Sequence, residues 1–307
     1  MSLLNTQRPT IDSRRRLQPC QLSELTVIHA DGSGREVIFE TCELIEAPNW
    51  TLDGGWLVFN ADGRLYKISP DGRDGPIRIN TASIEDLNND HVLSPDGTTM
   101  YVSSRDRHLY AVSLSGSIPQ RISPDQARER QYVYYLHGVS PDGRMLSYVG
   151  YEKTGDGKTV TRICTLPAEG GTIRELTDGQ CFVDGPEFST DGEWIYFNSE
   201  AAATQPGDAQ IFRMRPDGSD MRQITSDERV NWFPHFSPDG TMVAYLSYPA
   251  GTIGHPADTQ VLIRIMNPDG GAGRDLDGFL GGHGTINVNS WSRDSKRLAY
   301  VAYPIVG

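Results

Sequence analysis

Apolar residues along this chain fall in short runs with alternating character, and polar turn residues separate one run from the next. One turn recurs in nearly the same form. It reads Ser94-Pro95-Asp96-Gly97, Ser140-Pro141-Asp142-Gly143 and Ser237-Pro238-Asp239-Gly240, with variants at Thr51-Leu52-Asp53-Gly54, Ser189-Thr190-Asp191-Gly192 and Ser292-Arg293-Asp294-Ser295. Successive copies begin 43, 46, 49, 48 and 55 residues apart. Each predicts a β-hairpin: Pro presets φ at the second position of a type I turn, Asp suits the third, and Gly takes the left-handed place that closes the hairpin. Around each turn the chain repeats one plan of four strands, clearest at 182–188, 193–199, 209–215 and 221–225, with Pro216-Asp217-Gly218 as the second turn. The third strands align at 65–68, 109–112, 163–166, 211–214 and 262–265. Little helical periodicity is present, and a period of roughly 40–55 residues marks a repeat architecture.

The fold this predicts is all-β: a six-bladed β-propeller over residues 20–307, preceded by a loose polar tail over 1–19. The last repeat supplies only two strands, at 288–291 and 298–303. The two it lacks match 25–29 and 35–39, joined by the turn 30–34. Pairing them would close the ring with two N-terminal and two C-terminal strands and remove the open sheet edges. A seventh blade would need a further repeat-length stretch, and none is left unassigned.

Composition narrows the partners. A net charge of −12 argues against a nucleic-acid backbone or an anionic membrane. No apolar run is long enough to span a bilayer. Arg14-Arg15-Arg16 is not followed by an apolar stretch, so no signal peptide is expected and the chain reads as cytoplasmic as it stands; a trimmed periplasmic form would look the same. Cys20, Cys42, Cys164 and Cys181 show neither metal nor redox spacing and are expected as free, largely buried thiols.

The first strand of each blade lines the axis of a propeller, and here those strands are unusually polar. They carry Glu46 and Asn49, Asn89, Asp90 and His91, His137, Asp184 and Glu187, Trp232 and His235, and Asn287 and Asn289. Buried groups of this kind need water, partners or a ligand. One reading is a polar pocket at the channel mouth, where Asp90, His91, His137, Asp184 and His235 meet an anion, sugar or metal and Trp232 offers a stacking face. The other is a water-filled channel in which the same groups bond the free strand edges. Connections on the face opposite the Ser-Pro-Asp-Gly turns are long at 152–158, 200–208 and 249–258, which is where binding residues gather on a rigid scaffold.

The motif Pro234-His235-Phe236-Ser237-Pro238-Asp239-Gly240, followed by Val243-Ala244-Tyr245, resembles the WD40-like repeat of the bacterial TolB propeller. The resemblance covers the propeller and not the separate N-terminal α/β domain of that family. It implies a non-enzymatic module that binds a protein, a peptide segment or a small polar ligand, with no cofactor. Oligogalacturonate lyase shares similar repeats, and the alternative it implies is a metal-dependent lyase with His235 and His283 around a divalent ion, His255 lying in a nearby connection. A scaffold with a water-filled channel is the third possibility. Prolyl oligopeptidases are set aside because the chain has no G-x-S-x-G elbow.

Overall fold

The computed structural model describes residues 15–115, 118–126 and 131–307. The N-terminal strands β1 (Ser23–His29) and β2 (Glu36–Thr41) belong to the blade that closes the ring. Blade 1 is β3 (Ile45–Trp50), β4 (Leu57–Ala61), β5 (Arg64–Ile68) and β6 (Ile77–Arg78). Blade 2 is β7 (Leu87–Leu93), β8 (Thr99–Ser104), β9 (Leu109–Ser113) and β10 (Gln120–Arg121). Blade 3 is β11 (Val133–Val139), β12 (Met145–Lys153), β13 (Thr159–Pro167) and β14 (Arg174–Glu175). Blade 4 is β15 (Val183–Phe188), β16 (Ile195–Ser199), β17 (Gln210–Met214) and β18 (Arg222–Gln223). Blade 5 is β19 (Val230–Phe236), β20 (Val243–Tyr248), β21 (Thr259–Asn267) and β22 (Gly270–Gly281). Each is an antiparallel meander, so the six-bladed all-β propeller is the observed architecture.

Closure follows the expected plan. β1 pairs with β2 on one side and with β23 (Arg297–Ala302) on the other, in register from Glu24 opposite Ala302 to His29 opposite Arg297. The innermost strand of this blade differs from expectation: it is reduced to one bridge, Trp291 to Leu298. Its carbonyls serve side chains from other blades instead of a ladder. Ile286 O accepts from His235, Asn287 O from His137 and Asn289 O from Asn49.

The six turns share one hydrogen-bond pattern. Each first-position hydroxyl donates to the Asp carboxylate at 2.6–2.7 Å and accepts the N–H five residues on at 2.9–3.0 Å. Gly follows with φ of 69–73° in five turns, and Ser295 adopts φ 59° in the sixth. Ser295 is useful there because its Oγ accepts Asp239 N at 3.0 Å, tying blade 5 to the closing blade.

Two local expectations are corrected. The supposed long connection at 152–158 is a hairpin: Glu152 pairs with Val160 and Lys153 with Thr159, and Thr154 N bonds Lys158 O across a tight turn. All four cysteines are free, but only Cys164 is buried; Cys20 and Cys42 are exposed. The tail expected over 1–19 lies, for residues 1–14, outside the described residues, and from Arg15 onward the chain sits on the propeller. No helix among the described residues is long and apolar enough to cross a membrane.

The turn hydroxyl holds the Asp239 carboxyl below the ordinary aspartate value of 3.8. Its stabilisation is therefore present above about pH 3.8 and lost as pH falls below it. Asp239→Asn should lower stability by about 1 kcal/mol at pH 7 in urea denaturation. The gap from the parent should shrink in acid; a gap constant down to pH 2 would assign the loss to geometry rather than charge.

Candidate functional site at the channel mouth

The inner strands carry a shared irregularity that aims their polar side chains. Register slips between Glu46 and Asn49, between Asp184 and Glu187, and between Trp232 and His235. The extra residue is left-handed in each: Ala47 at φ 55°, Gly185 at 61° and Phe233 at 54°. Pro48, Pro186 and Pro234 follow, and since Pro has no N–H the bulge leaves no donor orphaned there. Slips also occur between Leu87 and His91 in β7 and between Leu136 and Gly138 in β11, which puts Asp90 and His137 on bulged segments.

The candidate residues sort into two levels. At the throat, nearer the Ser-Pro-Asp-Gly turns, His235 Nδ1 donates to Glu187 Oε2 at 2.6 Å and Nε2 faces Ile286 O at 2.6 Å. Glu187 Oε1 accepts from Phe236 N and from Asn289 Nδ2, whose amide also reaches Phe236 O. These contacts hold blades 4, 5 and 6 together by direct bonds.

At the mouth, on the face of the long connections, a chain of contacts crosses the axis. Asn89 Nδ2 donates to His283 Nε2 at 3.1 Å, and His283 Nδ1 lies 3.1 Å from His255 Nδ1. His255 Nε2 is 3.6 Å from Asp184 Oδ2, and Asp184 Oδ1 is 3.1 Å from His137 Nε2. His137 Nδ1 ends the chain on Asn287 O at 3.1 Å, while the Asn287 amide oxygen accepts Gly284 N. Glu46 of blade 1 approaches His283 Nε2 at 3.9 Å. Every blade thus contributes to the mouth.

The charges are set by burial against proximity. Burial opposes charge on His137, but Asp90 and Asp184 outweigh it and push its pKa up to about 9, in keeping with acceptors at both ring nitrogens. Burial raises Asp90 to about 6 against the pull of His137, and raises Glu46 to about 7 against the pull of Arg15. Asp184, equally enclosed, is held below the ordinary value by its bond to His137. Burial, then the neighbouring His255 and Arg15, drive His283 well below 6.5, so its ring is neutral.

Five expected residues do not join the mouth, Glu187 and Asn289 lying at the throat with His235. His91 is fully buried within blade 2, neither ring nitrogen has a hydrogen-bond partner, and burial pushes its pKa down to about 4. Trp232 is fully buried among Phe182, Phe233 and His255; at 4.5 Å it supports the His255 ring from behind and offers no open stacking face. His235 belongs to the throat, so it cannot share an ion with His283 at the mouth. Among the described residues no group of three His, Cys, Asp or Glu side chains converges closely enough to hold a metal ion.

Sequence reasoning passed over Arg15, Asp258 and Tyr303. The Arg15 guanidinium lies 3.8 Å over the Tyr303 ring, and donates to Asp258 Oδ1 at 2.9 Å and to His283 O at 2.6 Å. Only the aromatic at 303 and the acid ending the 249–258 loop could have hinted at this, and nothing local links them to residue 15. Elsewhere, a groove of about 880 Å³ between blades 1 and 2 on the turn face, lined by Trp56, Lys67, Arg78 and Arg293, contains none of the candidate residues.

The folded pKa of His137 lies above its ordinary 6.5, so its stabilisation is full below about pH 6.5 and lost as pH rises through about 9. His137→Gln should cost roughly 3 kcal/mol at pH 6 and much less at pH 10, read as unfolding free energy against pH. A cost independent of pH would mean that the charge on His137 contributes nothing.

With the geometry established, relatives can be compared. The family model of the TolB beta propeller domain matches residues 138–260. An uncharacterized protein of Agrobacterium fabrum is 37% identical over 271 residues, covering 87% of each chain. A solved structure from Agrobacterium tumefaciens, provisionally named TolB, is 36% identical, covers 93% of this chain and 99% of that one, and superposes with a TM-score of 0.84. The oligogalacturonate lyase of Vibrio parahaemolyticus reaches a TM-score of 0.57 at 16% identity over 86% of this chain and 74% of that one, a likeness of fold alone. By sequence and by architecture, the chain belongs to the TolB-like family of six-bladed β-propellers.

Proposed function

We propose that this protein is a non-catalytic binding module that takes a peptide segment of a partner protein into the loop-rich mouth of its channel. The observation that carries this reading is the convergence there of Glu46, Asp90, Asp184, His137 and His283, brought from separate blades to the channel mouth, with the His283 ring the most exposed of them. Glu46 Oε1 is buried and accepts no hydrogen bond, and such an atom is costly unless something supplies a donor. Asp90 and Asp184 about the His137 imidazolium, with Glu46 beside His283, favour a ligand with cationic or hydrogen-donating groups. Metal-dependent lyase chemistry finds less support, because His235 and His283 occupy different levels and both are committed to protein neighbours.

Panning a displayed random heptapeptide library on the protein tests this. Retained peptides should lose at least tenfold in affinity against a folded Asp90→Asn/Asp184→Asn double variant. Peptides indifferent to that variant would move the binding surface elsewhere. Unsaturated products released from oligogalacturonate would restore the lyase reading.

A further inference from the structure

Arg15 is a largely enclosed cation at the mouth, its side chain only 13% exposed. The hollow that receives it is built by other parts of the molecule. Tyr303, fully buried, supplies the ring beneath the guanidinium, and its hydroxyl is anchored on Ile45 O at 3.0 Å. Asp258 supplies the carboxylate; it sits in a left-handed conformation at φ 56° and is fixed by Gln21 Nε2 at 2.7 Å. The His283 carbonyl takes a second N–H at 2.6 Å, and Glu46 Oε1 stands 3.9 Å away. An aromatic face beneath, with a carboxylate and a carbonyl as acceptors, suits the flat, many-donor guanidinium better than the compact ammonium of lysine.

Arg15 fills this hollow incompletely. Its Nε donates to nothing, and Glu46 Oε1 accepts nothing, though both atoms are buried. A guanidinium placed slightly deeper could hydrogen-bond the glutamate that Arg15 reaches only as a 3.9 Å ion pair. The segment bearing Arg15 also meets the propeller through Gln18, which donates to Asp258 Oδ2 at 3.1 Å. The occupant enters the hollow by a side chain from outside the blades, whereas the receptor groups come from the ring and its connections.

We propose that Tyr303, Asp258, Glu46 and the His283 carbonyl form a receptor for an arginine side chain of the bound peptide, and that Arg15 occupies it as a built-in competitor. This rests on the reading of the mouth as a peptide site and assigns its ligand class. Binding of a partner arginine displaces Arg15, so the free protein is self-blocked and the affinity measured is reduced by that competition.

The probes are acetyl-Gly-Arg-Gly-amide and the same tripeptide with citrulline, titrated calorimetrically against the full chain. Arg15→Ala should bind the arginine peptide at least tenfold more tightly than the parent, with no such gain for citrulline. Adding Asp258→Asn should remove the gain. Arg15→Gln, which keeps an aliphatic stem and a polar end but is shorter and uncharged, serves if Arg15→Ala fails to fold. No gain in either Arg15 variant, or an equal gain for citrulline, overturns the receptor. If that happens while the heptapeptides still depend on Asp90 and Asp184, the receptor alone fails; if that dependence is missing as well, the mouth reading fails with it.

Discussion

The antiparallel pairing of β1 with β23 is the contact on which the rest of this molecule depends. A blade offers a meander whose outer edge is polar and short, and whose inner strand faces an axis instead of another ladder. Six such units hold one another only if the circle is complete, and the circle is completed by main-chain bonds between residues almost the whole chain apart. The same pairing fixes where the N-terminal segment leaves the sheet. β1 begins at the loop-rich face, beside the bridge from Gln21 to Ile305, and so delivers Arg15 to Asp258 and Tyr303. Closure and site are thus consequences of one strand.

Between blades, the burden falls on small polar side chains in otherwise apolar strands. Asn60 donates to Asn88 O, Ser103 accepts Leu136 N, Ser147 donates to Pro186 O and Asn198 accepts Phe233 N, each from the second strand of one blade to the inner strand of the next. All four are buried. Their backbone partners are groups for which the sheet provides no neighbour, so an apolar residue at these places would orphan a buried donor or acceptor. Polar residues on the axis extend the same logic: the throat level uses His235, Glu187 and Asn289 as mortar, and only the mouth level keeps charge in excess of its structural need.

What the sequence made legible follows from the range of the interactions. The turns are local, and six copies at a steady spacing announced the blade count, the faces and the closing plan. The polar inner strands were visible too, but not which way each side chain points. His91 and Trp232 look like their neighbours in the sequence, yet the bulges rotate Asp90, His137 and Asp184 toward the axis and leave those two inside the blades. The repeated Pro at 48, 186 and 234 was the available sign of a bulge. Arg15 was beyond any local pattern, since its hydrogen-bond partners are more than 240 residues away and its neighbours Arg14 and Arg16 look identical to it.

The arrangement also argues against a histidine base at this mouth and fits the proposed binding role. A general base needs a basic lone pair directed at the substrate. Both nitrogens of His137 face acceptors, both of His235 do likewise, and both of His283 are spent on Asn89 and His255. Freeing any of these rings would break a contact that joins blades. Asp90 and Glu46, raised to about 6 and about 7 by burial, would gain from a donor that a ligand supplied, and on the proposed reading that gain is affinity. On the proposed reading, axial histidines that hold the ring together leave the acids for recognition, and a cationic group on the ligand is their natural complement.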